Sequence, residues 1–269
     1  MLDGHIHLER GPYTPAWVGE FVEQARRTGM EEIWLLEHSY RFREFTPLYR
    51  QVTAASQPVA QWFARKAGRC GLADYLGFVE HMKKESFPIR VRFGLEVCYF
   101  QQGEEEIGRL LQGGGLDFAV GSVHFVDSFA FDQSPDYWRG RDVDQVYRRF
   151  FETTLDLIDS GLFQGLAHPD SVKIFGFRPS FSLEPFYDQV ARALARRGMY
   201  AEENSGVYRR SQGKGGLGLE PAFLKALRRQ GVSIVTASDV HCPQDVGAQI
   251  PWMNRLLAQF DGNLAGQKG

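Results

Sequence analysis

Histidines and carboxylates that end short apolar runs are the feature of this sequence that most narrows its possible folds. His5 and His7 end the first run. The polar residues that end the later runs are His38, Glu96, His124, His168, Asp239 and His241. Six of the seven histidines lie at run ends, where chance would place about half of one. Because a parallel barrel gathers its strand ends at one rim, we expect these side chains to meet there. The seventh, His81, falls within a predicted helix, and we expect it to face solvent.

Segments typical of strands and of helices alternate along the chain. Apolar runs without clean alternation, typical of parallel strands covered on both faces, span residues 2–6, 32–36, 89–97, 116–123, 162–167, 199–203 and 232–237. Amphipathic segments that predict helices span residues 15–28, 72–84, 104–112, 144–160, 183–197, 220–230 and 246–259. Seven strand–helix units with right-handed crossovers predict an α/β barrel of the TIM type, formed by residues 1–269 as a single domain.

Overall charge and cysteine content exclude several classes of protein. A net charge of −2 provides no general attraction to nucleic acid or to an anionic membrane. Cys70, Cys98 and Cys242 are dispersed and odd in number, which argues against a disulfide framework and for a reducing compartment. No apolar run approaches the length of a membrane span, and the N-terminus lacks a signal-peptide layout. We therefore expect a cytoplasmic protein that binds neither nucleic acid nor membrane, while the oligomeric state stays open.

Three long connections begin just after strands that carry candidate ligands. They span residues 39–71, 125–141 and 170–182. Long connections at the mouth of a barrel are commonly functional, so we expect these to be walls or lids over the site. The glycine-rich stretch at residues 212–218 follows no strand directly and lacks the spacing of a phosphate-binding loop, so we interpret it as a flexible loop.

The candidate ligands predict a site for several metal ions. His5 and His7 point to the same side of an extended strand, because side chains alternate along a strand. Asp239 and His241 repeat this spacing after the last strand. Glu96 stands between two apolar residues, where a buried carboxylate must be paired, protonated or bound to metal. Eight candidates exceed the three or four ligands of one zinc site. We therefore expect two or three divalent ions (zinc, iron or manganese).

A multinuclear centre of imidazoles and carboxylates points to hydrolysis, most often of phosphate esters. The ions of such a centre acidify water, orient the ester and neutralise charge on the transferring phosphoryl group. No serine stands in a G-x-S-x-G setting that would favour a serine hydrolase instead.

The motifs of the chain resemble those of a known family over nearly its whole length. The matching segments are Asp3-Gly-His-Ile-His7, Glu37-His38, Gly94-Leu-Glu96, Gly121-Ser-Val-His-Phe-Val126, Ala167-His-Pro-Asp170, Glu203-Asn-Ser-Gly206 and Ala237-Ser-Asp-Val-His241. Together they resemble the polymerase-and-histidinol-phosphatase (PHP) family of metal-dependent phosphoesterases, and within it the monofunctional histidinol-phosphatases. The resemblance implies a distorted seven-stranded barrel with three metal ions at the mouth of its strands, and hydrolysis of L-histidinol phosphate in histidine biosynthesis.

The resemblance also implies an assignment of ligands to metals. The first ion would take His5, His7, Glu96 and Asp239, the second His38 and His241, and the third Glu96 (as a bridge), His124 and His168. Some relatives carry a further histidine where Tyr13 stands here. The remaining ligand of the second ion is therefore open between Glu9, Tyr13, water and the substrate. Glu37 stands where relatives often have aspartate, and we expect it to support the centre rather than to bind metal.

Residues after the strands are candidates for binding and proton transfer. Cations that follow the fifth and sixth strands are candidates to bind the phosphate, namely Lys173, Arg178 and Arg209. Acids that are candidates to hold the amine or imidazole are Asp127, Asp132 and Glu203. Phe125 and Phe129 are candidates to stack on the imidazole ring. The catalytic candidates are Glu96, as the bridge, and Asp239 or His241, for proton transfer.

Three other functions remain open at this stage. Another PHP phosphoesterase would act on nucleotides or other small phosphomonoesters, although the near-neutral charge disfavours nucleic-acid ends. An amidohydrolase barrel also begins with H-x-H, but Glu96 and His241 fit it poorly. A metal-storing or sensing domain would not need basic loops beside its ligands.

Overall fold

A seven-stranded parallel sheet forms the centre of the protein. The computed structural model describes residues 1–266. In sheet order the strands are β1 (Leu2–His7), β2 (Glu32–His38), β3 (Arg90–Cys98), β4 (Phe118–Ser122), β7 (Gly165–Leu166), β8 (Tyr200–Asn204) and β9 (Ile234–Ala237). The ring closes at the mouth, where His7 N donates to Val240 O at 2.8 Å and Asp239 N donates to His5 O at 2.9 Å. The predicted α/β barrel is therefore confirmed as a nearly closed ring of strands.

Helices surround the barrel and follow the predicted sequence segments closely. They are α1 (Pro15–Arg27), α4 (Leu72–Met82), α5 (Glu104–Leu111), α6 (Val143–Asp159), α7 (Glu184–Arg197), α9 (Pro221–Arg229) and α10 (Ile250–Gly266). Local chemistry explains several boundaries. Thr14 accepts a hydrogen bond from Trp17 N before Pro15 begins α1, and Gly198 ends α7 in the left-handed conformation with φ 64°.

The long connections contain more structure than the sequence predicted. Residues 39–71 form α2 (Arg50–Ala55) and α3 (Gln57–Lys66), and residues 125–141 begin with a hairpin of β5 (Phe125–Val126) and β6 (Phe129–Ala130). A short helix, α8 (Gly206–Arg210), precedes the glycine-rich stretch. Apart from α3, which the sequence analysis missed, these elements are too short for periodicity to indicate.

Two predicted boundaries were wrong. The strand predicted at residues 162–167 is regular only over Gly165–Leu166, although Gln164 N and Ala167 N still donate to Ala119 O and Gly121 O of β4. The last helix begins at Ile250 rather than at residue 246, because Gly247 (φ 80°) and Gln249 (φ 65°) are left-handed.

A packed floor fills the barrel beneath its mouth. Its buried members are Trp34, Leu36, Phe118, Val120, Ala167 and Val235. Trp34 and Leu36 share a strand face with His38, because these residues alternate along β2. Gly94 makes room for the floor, since a Cβ there would overlap the Phe118 ring. The apolar floor excludes water from below, so that the polar side chains above it are held between core and mouth.

Candidate metal centre

Glu96 lies at the centre of the converging side chains, and its two oxygens face different partners. Oε1 is 3.0 Å from both His124 Nε2 and His168 Nε2. Oε2 is 2.7 Å from His38 Nδ1, 3.5 Å from His7 Nε2 and 3.6 Å from His5 Nε2. A carboxylate placed in this way can bind one cation with each oxygen, and the two cations then share it as a bridge.

The first ligand group has the spacing of a metal site. His5 Nε2 and His7 Nε2 are 3.0 Å apart, and Asp239 Oδ1 lies 3.8 and 3.5 Å from them. Tetrahedral ligands bound at 2.0–2.1 Å would be separated by about 3.3 Å, so these distances enclose a volume suited to an ion such as zinc. Room for the carboxylate comes from Gly206, where a Cβ would collide with Asp239 Oδ2.

Two further groups adjoin the first. Ligand atoms of His7, His38 and His241 lie within 4.8 Å of one another, as do those of Glu96, His124 and His168. All eight predicted ligands therefore meet at the mouth of the barrel. Their assignment to individual ions stays a prediction.

Unpartnered buried atoms test whether this cluster suits cations. Among the described residues, Glu96 Oε2, which faces His38, and His241 Nδ1, which faces Glu9, are buried without a hydrogen-bond partner. A buried polar atom without a partner costs about 1–3 kcal/mol. Two such atoms in one cluster would be costly in a site built only for hydrogen bonding. Cations coordinated by these side chains would offset that cost, so the residues fit a metal centre.

Strong electrostatic coupling holds the acids of the cluster ionised. Burial disfavours the charged form of Glu96, but His38, His124 and His168 outweigh it and hold the pKa of Glu96 well below its usual range. Likewise, His5 and His7 overcome the burial of Asp239 and lower its pKa. Carboxylates that stay ionised beside imidazoles are the state that metal binding requires.

Two candidate ligands occupy strained backbone. His168 has φ 31° and Asp239 has φ 55°, in the left-handed region that residues with a Cβ rarely adopt. Surrounding hydrogen bonds maintain both: His168 N donates to Glu202 Oε2 at 3.1 Å, and Asp239 N donates to His5 O. Such strain at a ligand position is typical of functional sites.

Carboxylates outside the ligand set orient its histidines. Glu202 Oε1 lies 2.8 Å from His5 Nδ1, and Asp132 Oδ2 lies 3.0 Å from His124 Nδ1. These contacts orient each ring so that Nε2 faces the cluster of candidate ligands. Sequence reasoning missed Glu202 and selected its neighbour Glu203. Alternation along β8 was the signal available, because Tyr200, in the floor, predicts that Glu202 also points inward.

A cleft of about 240 Å³ opens above the cluster. It is smaller than the roughly 300–1,000 Å³ typical of pockets for drug-sized ligands, so it suits a small molecule. Besides candidate ligands, its lining includes Glu9, Tyr40, Tyr49, Trp62, Lys66, Phe125, Asp132, Ser171 and Arg210. The walls of the cleft come from the connections after β2 and β4 and from α8. The predicted wall segments 39–71 and 125–141 therefore line the cleft, and the segment 170–182 contributes its first residues.

The PHP domain family model matches residues 3–206, about three quarters of the chain. The chain belongs to the PHP family. Among curated proteins, this PHP chain is similar to a protein of Deinococcus radiodurans named "Probable histidinol-phosphatase", with 22% identity over 92% of this chain and 88% of that protein. A Schizosaccharomyces pombe protein of the same name is 27% identical over 59% of this chain and 56% of its own length.

Solved structures show the same PHP barrel. A Listeria monocytogenes protein named as a candidate histidinol phosphatase superposes with a TM-score of 0.76 at 20% identity, covering 94% of this chain and 99% of that one. A histidinol phosphate phosphatase of Lactococcus lactis, solved with zinc, L-histidinol and phosphate, gives a TM-score of 0.65 at 19% identity, covering 96% and 93%. Within residues 1–266 we find no helix with the length and apolarity that a membrane crossing requires.

The three cations predicted to bind phosphate lie outside the cleft of this PHP centre. Lys173 is buried, donates to Asp170 Oδ2 at 2.7 Å and bonds Gly218 O, which makes it a structural ion pair. Arg178 Nη2 pairs with Glu220 Oε1 at 2.8 Å, and Arg209 pairs with Asp245. Arg210, the neighbour of Arg209, does line the cleft together with Lys66, because one residue along α8 turns the side chain by about 100°.

Three other predicted substrate contacts also need correction. Asp127 is exposed at the tip of the β5–β6 hairpin and pairs with Arg149 at 3.0 Å. Phe129 packs in the core against Trp138. Glu203 points out of the barrel and accepts a hydrogen bond from Leu219 N at 3.0 Å. Phe125 and Asp132 do line the cleft, as predicted.

Glu203 is expected to make folding stability depend on pH. Its side chain is buried, and burial raises its pKa from 4.5 to about 7, despite the hydrogen bond from Leu219 N. The folded protein therefore holds a proton that the unfolded chain releases between about pH 4.5 and 7, and stability falls as pH rises through that window. Full ionisation should cost of the order of 3 kcal/mol. We expect Glu203→Gln to raise the melting temperature by several degrees at pH 8 and to change it little at pH 4.5, measured by calorimetry.

Tyr13 and Glu37 lie beside the PHP centre rather than in it. The Tyr13 ring stacks on Phe78 at 5.3 Å, and its hydroxyl lies 3.7 Å from Cys70 Sγ. Tyr13 therefore packs into the wall and does not replace the histidine of relatives. Glu37 is buried opposite His38 on β2 and lies 3.3 Å from Arg41 Nε, and burial raises its pKa to about 8. Neither residue lines the cleft.

Proposed function

We propose that the protein is a metal-dependent phosphatase that hydrolyses L-histidinol phosphate to L-histidinol and phosphate. The observation that carries the proposal is Glu96, whose separate oxygens face two groups of histidines beneath one small cleft. Support also comes from the matching PHP family. Relatives named histidinol-phosphatase or histidinol phosphate phosphatase match this chain over most of their length. Histidine biosynthesis is the role that this activity would serve.

We assign three divalent ions to the centre. The residues that would hold them are His5, His7, His38, Glu96, His124, His168, Asp239 and His241. Bound ions would acidify water, draw the phosphate in and neutralise charge on the phosphoryl group. Imidazole and carboxylate together suit zinc, iron and manganese.

Arg210 is the side chain that we assign to the phosphate. Its Nη1 lies 3.2 Å from Asp132 Oδ2, and its Nη2 donates to Asp132 O at 2.7 Å. The guanidinium is thus oriented before substrate arrives, with donors left over for phosphoryl oxygens. Asp132 also holds His124, so one carboxylate aligns the phosphate-binding cation with a metal ligand.

The rest of the cleft would bind the alcohol part of the substrate. Trp62 packs edge-to-face on Tyr40 at 5.0 Å, and Phe125 forms part of the same lining. Aromatic faces of this kind suit an imidazole ring. When the ester bond breaks, the leaving oxygen needs a proton, and we assign its transfer to Asp239 or His241, whose Oδ1 and Nε2 are 3.9 Å apart.

The direct test is phosphate release from L-histidinol phosphate by gently purified protein, compared with a nucleotide panel and an amide panel. We expect histidinol phosphate to be preferred, and activity to disappear after chelation and return with added metal. Preference for nucleotides would assign another phosphomonoesterase function, and amide hydrolysis would overturn the proposal. Elemental analysis of the same sample identifies and counts the metals.

Removing the Arg210 cation should weaken substrate binding. We expect Arg210→Ala to lower kcat/KM by about 10²-fold, since a charge-assisted contact to phosphate contributes about 1.5–3 kcal/mol. Arg209→Ala is the matched control, because its side chain pairs with Asp245 outside the cleft. Steady-state kinetics of the two variants would distinguish them, and equal losses would contradict the assignment of Arg210.

A further inference from the structure

Glu9 is a largely buried acid of the cleft whose role the ligand assignments leave open. Its side chain is 9% exposed. It follows His5 and His7 at the same spacing of two residues, and its Oε1 lies 3.0 Å from His241 Nδ1. Tyr40 donates a hydrogen bond to the other oxygen, Oε2, at 3.1 Å. The tyrosine therefore orients the carboxylate and leaves Oε1 directed at His241.

The contact between Glu9 and His241 is short, but it is poorly aligned for a hydrogen bond. Among residues 1–266, His241 Nδ1 has no hydrogen-bond partner, although Glu9 Oε1 is within reach, because the ring N–H does not point along the line to the oxygen. Two ligand atoms bound to one ion at about 2.1 Å and at a right angle would be about 3.0 Å apart. The spacing thus fits two neighbouring ligands of one cation.

We propose that Glu9 supplies the third protein ligand of the second metal, beside His38 and His241. His7 adjoins both groups, but its Nε2 is 3.0 Å from His5 Nε2 and 3.5 Å from Asp239 Oδ1, which assigns it to the first ion; Tyr13 is packed into the wall. The second site is then two imidazoles and one carboxylate. That ligand set is harder than three imidazoles and shifts the site toward iron(II) or manganese(II) relative to zinc.

Metal content and affinity test this inference, which rests on the proposed metal centre. Wild type, Glu9→Gln and Glu9→His are loaded with Mn²⁺ or Zn²⁺, dialysed against a weak chelator and measured for metal per chain, with calorimetric titration of each ion. We expect Glu9→Gln to lose about one equivalent of Mn²⁺. We expect Glu9→His to keep the full number of ions but to bind Zn²⁺ over Mn²⁺ about tenfold more selectively than wild type.

Tyr13→Phe and the exposed Glu20→Gln are the controls, and both should retain wild-type metal content. Wild-type content and affinity in Glu9→Gln would overturn the inference, and a raised KM in that case would make Glu9 a substrate contact. A wild-type protein that retains no metal would instead contradict the proposed metal centre itself. Melting temperatures of the metal-free variants identify any variant that fails to fold, and Glu9→His then carries the test.

Discussion

Replacing Glu96 with glutamine should abolish turnover and empty the metal centre. The substitution keeps the size of the side chain but removes the charge that faces both His38 and the pair His124 and His168. An amide binds a divalent ion far more weakly than a carboxylate and is not suited to bridge two. We expect kcat/KM to fall by about 10³-fold or more, since loss of one strong electrostatic contact alone costs about 10²–10³.

Two measurements make the Glu96 prediction specific. Elemental analysis should show that at least two ions are lost together from Glu96→Gln, because the carboxylate faces two ligand groups. Glu105→Gln provides a matched control at an exposed site of α5. Retention of full metal content and activity by Glu96→Gln would refute the bridging role of this residue.

Replacing Glu202 should weaken the centre without removing any ligand. Its Oε1 contacts His5 Nδ1 at 2.8 Å, and its Oε2 accepts from His168 N at 3.1 Å. One carboxylate thus orients a ligand ring and holds the strained backbone of a second ligand. Glutamine cannot accept from both groups with full charge. We expect metal affinity and activity to fall about 10–100-fold in Glu202→Gln, the range for groups that support metal-bound histidines.

The adjacent residue is the control for Glu202. Glu203→Gln changes the same residue type one position along β8, but its side chain points away from the barrel interior. Metal titration should show weaker binding for Glu202→Gln alone, whereas the stability gain at pH 8 should appear for Glu203→Gln. Equal metal affinities in the two variants would contradict the role given to Glu202.

Residues at strand ends were placed correctly by the sequence analysis more often than residues on the connections. Strand ends are marked in sequence by the change from apolar to polar residues, and all eight predicted ligands follow such changes and meet at the mouth. The substrate-binding residues lie on connections, where neither alternation nor helical periodicity gives a direction. Arg209 and Arg210 are neighbours in sequence, yet only Arg210 lines the cleft, because α8 fixes the turn between them.

Buried charged residues on the connections were also difficult to predict from the sequence. Lys173 has the sequence features of a phosphate-binding cation, but it is enclosed by Asp170 and Gly218. Burial of a lysine is favourable only with such partners, and although Asp170 is close in sequence, Gly218 comes from a distant part of the chain. No local pattern could have predicted that environment.

From the sequence alone, the barrel, its family and the candidate ligands that meet at its mouth could be predicted, because apolar runs that end in polar residues are local patterns along the chain. Only the tertiary structure decided which oxygen of Glu96 faces which histidines, that Glu202 rather than Glu203 supports them, and that Glu9 and Arg210 enter the cleft. These outcomes depend on where strands and short helices bring side chains from separate segments within about 3 Å of each other, the range over which hydrogen bonds and metal coordination act.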